Sequence, residues 1–110
     1  IMLDPTVVDK NEFQAALPKS LAMHQNYPNP FNPSTSIQFE LPREMPASLT
    51  VFNATGQLIR TLFNREMSAG YHSIRWDATN DRGQRVPSGI YYARLNADGQ
   101  IMIRKMLLLK

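Results

Sequence analysis

The chain has 110 residues, 43% of them hydrophobic and 19% charged, with twelve Lys and Arg against nine Asp and Glu for a net charge of +3. That is the length and composition of one globular domain, and it excludes wholesale disorder. With no apolar run near the roughly 20 residues a bilayer requires, it also excludes a membrane-spanning helix. No cysteine is present, which removes a disulfide framework, a thiolate zinc site and a thiol nucleophile.

The charge is uneven: two lysines face four carboxylates in residues 1–40, and ten basic residues face five acidic ones thereafter. This mild excess is short of a nucleic-acid-binding face. The first residue is isoleucine and the chain contains no charged-then-apolar signal peptide, so it reads as a processed product or the tail of something longer. Residues 1–20 are expected to be an upstream linker or domain remnant. They contain a short predicted helix over 10–17, with Asp9 as cap, Glu12 in the capping-box position, and Phe13, Ala16 and Leu17 on one face.

Six of the eight prolines fall between Pro18 and Pro46. Each fixes φ and removes an amide donor, so residues 18–34 read as an extended, partly polyproline-like lead-in to a folded module. From Thr35 the pattern changes to period two. Ile37, Phe39 and Leu41 alternate with polar residues, and Leu49 and Val51 share a face opposite Ser48, Thr50 and Phe52. A turn at 53–56, ending on Gly56, makes 47–63 a hairpin. After a turn at Ala69-Gly70, Ile74 and Trp76 share a face; 77–89 is loop; Tyr91, Ala93 and Leu95 alternate with Ile90, Tyr92 and Arg94. A turn at 97–99 leads to a last strand over about 101–109. Gly89 marks an unusual backbone conformation or a close approach. Six strands with short turns and no helical period predict an antiparallel sandwich or barrel, with a seventh strand available from the N-terminal segment.

The run Gln25-Asn26-Tyr27-Pro28-Asn29-Pro30-Phe31-Asn32-Pro33-Ser34-Thr35 is followed in order by Val51-Phe52-Asn53, Gly56-Gln57, Gly70-Tyr71-His72, Trp76-Asp77, Gly83, Val86-Pro87-Ser88-Gly89-Ile90-Tyr91 and Arg104-Lys105-Met106. Over about residues 21–110 the chain resembles the C-terminal sorting domains of type IX secretion cargo, which are related to the immunoglobulin-like domain of flagellar hook-capping proteins. The resemblance implies an all-β, immunoglobulin-like antiparallel sandwich of six to seven strands. It also implies an export address for an upstream passenger domain, placed at the cell surface or outside the cell. The partner would be the outer-membrane export machinery, and the region recognised would be Arg104, Lys105, Met106, Leu107, Leu108, Leu109 and Lys110.

Physical roles follow from the residues themselves. Phe31 is expected to plug the lead-in against the sandwich, contributing about 1.5–3 kcal/mol if its ring is buried. Trp76 is expected in the core with its N–H bonded to backbone; a sugar-stacking platform is the alternative. Asp77, Asn80, Asp81 and Gly83 fail the spacing of a calcium loop and read as a turn. His24 and His72 have no metal-ligand spacing, and no nucleophile context surrounds Ser88, so neither a metal, a cofactor nor catalysis is expected.

Arg60, Arg75 and Arg94 suggest an outward basic stripe able to meet an acidic partner or anionic lipopolysaccharide. In the last strand Ile101, Ile103, Leu107 and Leu109 lie on one parity, and Met102, Met106 and Leu108 on the other. Arg104 and Lys105 place a charge on each, unless a bulge shifts the register. Double apolarity predicts a second contact for this strand, foremost with another part of the same chain. A different class of function, a structural or adhesive subunit that self-associates through strand edges, fits the same feature.

Overall fold

A computed structural model describes residues 17–110 and contains seven β-strands and no helix among them. The helix expected over 10–17 lies outside the described residues, apart from Leu17. β1 (Ala22–Met23), β2 (Thr35–Leu41) and β5 (Gly70–Trp76) form one antiparallel sheet in the order β1-β2-β5. β3 (Met45–Asn53), β4 (Leu58–Met67), β6 (Gly89–Ala97) and β7 (Gln100–Leu108) form the other, in the order β4-β3-β6-β7. The chain changes sheet between β2 and β3, between β4 and β5, and through the 77–88 loop between β5 and β6. This is an immunoglobulin-like sandwich with β1 as its seventh strand.

The period-two pattern places the core as expected. Ile37, Phe39 and Leu41 of β2 face Ala47, Leu49 and Val51 of β3 and Tyr91, Ala93 and Leu95 of β6, all buried. In the second sheet the inward β3–β6 cross-strand pairs are Ala47–Ala97, Leu49–Leu95 and Val51–Ala93, so small and large side chains succeed one another along the inner face of that layer. Phe39 stacks between Phe63 (centroids 5.5 Å apart) and His72 (5.0 Å).

The strands run longer than the alternation suggested. β3 starts at Met45 although Pro46 has no amide proton. The carbonyl of Pro46 accepts from Asp98 N–H at 3.1 Å, and Pro46 lies beyond the last β3–β6 pair, Ala47–Ala97, where no ladder donor is required. β4 carries two register shifts against β3, between Leu49 and Thr50 and between Val51 and Phe52; period two alone does not show these bulges. The β6–β7 turn has positive φ at both Asp98 (51°) and Gly99 (83°), the pattern of a two-residue type I′ hairpin. Gly89 has φ +151° with nothing within 4 Å of where a Cβ would sit. Its requirement is therefore conformational, and the close-approach alternative falls.

Candidate functional site at the C-terminal strand

β7 pairs with β6 in unbroken register from Ala97–Gln100 to Gly89–Leu108. No bulge relieves the double apolarity, so the parities separate cleanly. Met106 and Leu108 are fully buried, whereas Ile101 and Ile103 are each 51% exposed and Leu109 49%. Arg104 falls on the inward parity. At the sheet edge it stays half-buried and turns its guanidinium back to donate to the carbonyl of Ile103 (2.9 Å).

The proline-rich lead-in lies along the outer edge of β7. Phe31 N–H donates to the carbonyl of Leu107 and the carbonyl of Phe31 accepts from Leu109 N–H, both at 3.0 Å, a parallel bridge. Asn29 Oδ1 accepts from Leu107 N–H at 3.0 Å, and Gln25 Nε2 donates to the carbonyl of Lys105 at 2.7 Å. Lys110 N–H reaches Ser88 Oγ at 3.1 Å. These bonds occupy the edge carbonyl of Lys105, both edge groups of Leu107 and the amides of Leu109 and Lys110, which an uncovered edge strand would leave to water or to another chain.

The lead-in is held in turn by its own buried polar knot. Asn26 Nδ2 donates to Thr35 Oγ1 (2.9 Å) and to the carbonyl of Pro28 (3.1 Å), and Thr35 Oγ1 donates to that same carbonyl (2.9 Å). Asn26 and Thr35 are both buried, and no buried side-chain polar atom lacks a partner among the described residues. The bonds preceding Pro28, Pro30 and Pro33 are cis. Phe31 is buried as expected, 5.6 Å from Trp76, which meets Tyr91 edge-on at 5.3 Å. Tyr91 O–H donates to the carbonyl of Pro87 (2.6 Å), a tie of the tyrosine-corner type. Burial raises the Tyr91 phenol above its ordinary value.

The seven predicted recognition residues thus divide. Met106 and Leu108 belong to the core, Leu107 gives both edge groups to the lead-in, and Arg104, Lys105, Leu109 and Lys110 keep side chains at the surface. The predicted cover of β7 exists, but it lies along the edge and does not hide the outward faces of Ile101, Ile103 and Leu109. Asn29 and Gln25 were missed as edge caps; the Asn-Pro-Phe-Asn-Pro run signalled tight bends, and nothing in it names the strand those bends meet.

Other candidates resolve differently. Trp76 is fully buried and its indole N–H donates to the carbonyl of Thr79 (2.9 Å), so no sugar can stack on it. The basic stripe does not form: Arg75 is in the three-stranded sheet and Arg94 is on the outer face of the other. Arg60 instead holds the 77–84 loop, donating to Thr79 Oγ1 (2.9 Å) and to the carbonyl of Asn80 (2.8 Å). Asn80 Oδ1 accepts from the amides of Arg82 and Gln84, and Asp81 Oδ1 from Thr61 N–H. The loop oxygens that resembled cation ligands therefore serve a guanidinium and backbone donors. The Thr79 hydroxyl on Asp77 holds that carboxyl below its ordinary value, with the Arg60 charge adding to the effect. His24 pairs with Glu40 on the outer face, whereas His72 packs on Phe39 and bonds the carbonyl of Ser68 (2.8 Å).

Comparison with known proteins places this arrangement. The chain is 35% identical over 48 residues to the basal-body rod modification protein FlgD of Escherichia coli strain K12, covering 44% of this chain and 21% of that protein. Its fold is shared with dimeric latent PorU of Porphyromonas gingivalis (TM-score 0.63, 19% identity, 81% of this chain, 9% of that one). It is shared also with PorZ of the same organism, a surface component of the type IX secretion system (0.56, 20%, 81% and 12%), and with FlgD of Pseudomonas aeruginosa (0.50, 23%, 67% and 59%). The chain spans only a small part of PorU, PorZ and the E. coli relative. The profile of the FlgD Ig-like domain matches residues 27–100, from within the lead-in to the start of β7, and the chain belongs to that family.

Proposed function

We propose that residues 21–110 are a non-enzymatic sorting and anchoring module, which directs an upstream passenger through the outer-membrane export machinery to the cell surface, with residues 1–20 as the joining segment. The observation that carries this reading is the Gln25–Thr35 run stitched to the terminal strand: it builds a fixed, solvent-facing C-terminal end from the segment by which the sequence resembles type IX sorting domains. Shared fold with PorU and PorZ supports it, since PorZ is described as a component of that system. Recognition would rest on the surface groups of Arg104, Lys105, Leu109 and Lys110.

Deleting 104–110 would not test this, because Met106 and Leu108 are core residues. The test is a reporter fused ahead of residues 21–110 in a host with this export system, compared with Lys105→Glu, Leu109→Ser and Lys110→Glu together. The expected result is external reporter for the parent and intracellular reporter for the folded variant. Equal export would overturn the assignment.

A second reading, a structural subunit of an extracellular assembly, is favoured by the identity with the basal-body rod modification protein. It requires self-association. Sedimentation across a concentration series discriminates: the sorting reading expects a monomer, and a reversible oligomer through strand edges supports the subunit.

A further inference from the structure

The lead-in caps only the second half of β7's outer edge. Residues of odd number in β7 turn their backbone groups away from β6, as the bonds at Lys105, Leu107 and Leu109 show. In the first half those groups belong to Ile101, Ile103 and Lys105. Ile101 N–H and C=O, Ile103 N–H and Lys105 N–H have no partner among the described residues. The carbonyl of Ile103 holds only the guanidinium of its neighbour Arg104. An open edge of this kind is a template for another strand.

Two features distinguish it from the open edge of β5, where Tyr71, Ser73 and Arg75 are presented. The first is apolar surface. Ile101 and Ile103, each half exposed, wall a groove of about 510 Å³ with Phe52 and Tyr92, and Arg94 lies over the Phe52 ring at 5.9 Å. The second is charge. Arg104 and Lys105 flank the edge on opposite faces, and neither has a carboxylate within ion-pair distance among the described residues. β4, the far edge of the same sheet, is by contrast protected. It is bulged, Asp81 N–H bonds the carbonyl of Ile59, and Asp81 Oδ1 bonds Thr61 N–H.

We propose that Ile101–Lys105 of β7 docks an extended acidic peptide segment of another protein, added to the four-stranded sheet as a fifth strand. Strand addition supplies backbone bonds for affinity and alternate side chains for selectivity. Apolar side chains of one parity lie against Ile101 and Ile103. Carboxylates of the other parity meet Arg104, whose guanidinium is released when an incoming amide takes the carbonyl of Ile103. Lys105 adds long-range attraction, which salt weakens. The proposal stands whether or not the domain serves export.

The test uses the full 110-residue chain, labelled with 15N, and a capped seven-residue peptide alternating valine with glutamate. A peptide with lysine in place of glutamate is the control. The expected result is shifted amide resonances at Ile101, Ile103 and Lys105 with exchange slowed at least tenfold, affinity falling with salt, and at least tenfold weaker binding of the lysine peptide. Ile103→Pro removes an edge donor that lies outside the β6–β7 ladder and should weaken binding at least tenfold. Arg104→Glu with Lys105→Glu should reverse the preference between the peptides, so the proposal stays testable if the proline variant does not fold. No binding, equal affinity for both peptides, perturbation at Tyr71, Ser73 and Arg75 instead, or insensitivity to either variant would overturn it. So would protection of the same amides without peptide that grows with protein concentration, which would make a second copy the occupant.

Discussion

Phe31 shows how one side chain can fix the position of a segment that has no strand of its own. Its ring is buried beside Trp76 while its backbone bridges Leu107 and Leu109, so hydrophobic burial and edge capping depend on the same residue. Phe31→Ala should cost about 3–5 kcal/mol of unfolding free energy, measured by denaturant titration followed through Trp76 fluorescence. Two titratable residues give opposite pH signatures. Asp77 is held below its ordinary value of 3.8 by the Thr79 hydroxyl. Its contribution is therefore present above that value and is lost as pH falls through the lowered one. The amides of Thr79 to Gln84 should loosen in acid, and Asp77→Asn should remove that dependence, as read by amide exchange. Tyr91 is raised above 10.0 by burial, so its contribution is complete below 10.0 and is lost as pH rises through the raised value. Tyr91→Phe should reduce the alkaline fall in unfolding temperature and cost roughly 1 kcal/mol at neutral pH through loss of the bond to Pro87.

At the scale of the strand, β7 explains why apolarity on both parities is compatible with one wet face. Met106 and Leu108 supply the core, Gln25, Asn29 and Phe31 cap the Lys105 carbonyl, both edge groups of Leu107 and the Leu109 amide, and Ile101 and Ile103 stay outside. Removing 106–110 should abolish cooperative unfolding. Lys105→Glu with Lys110→Glu should leave stability within about 0.5 kcal/mol, because both side chains are exposed and outside any ion pair among the described residues. Calorimetry on the two variants checks both outcomes. The strand's existence, length and double apolarity were legible in the sequence, since alternation reports the pleat directly. Which parity faced the core was not, because both parities are apolar and the register comes from pairing with β6.

For the molecule as a whole, the two ends of the described chain are interdependent: the N-terminal lead-in seals the C-terminal strand. Deleting residues 1–20 should leave the unfolding temperature within a few degrees of the parent. Starting the chain at Ser34 should lower it far more, since that removes Phe31, the Asn26–Thr35 knot and every edge cap on 105–109. Thermal unfolding of the two truncations checks this, and it is also the test of 21–110 as the folded unit.

The alternation of Ile37-Phe39-Leu41, Leu49-Val51 and Tyr91-Ala93-Leu95 by itself determined an all-β antiparallel sandwich or barrel and most of its core, because side-chain period and burial are local consequences of the pleat. The proline run determined an extended lead-in for an equally local reason, the loss of φ freedom and amide donors. Tertiary structure alone decided what those segments meet. Asn29 and Gln25 cap an edge some 80 positions away, Arg60 fills the loop that resembled a cation site, and Arg75 and Arg94 part onto different sheets. Such pairings follow from strand order and register, which depend on contacts between distant residues and leave no periodic trace in the chain.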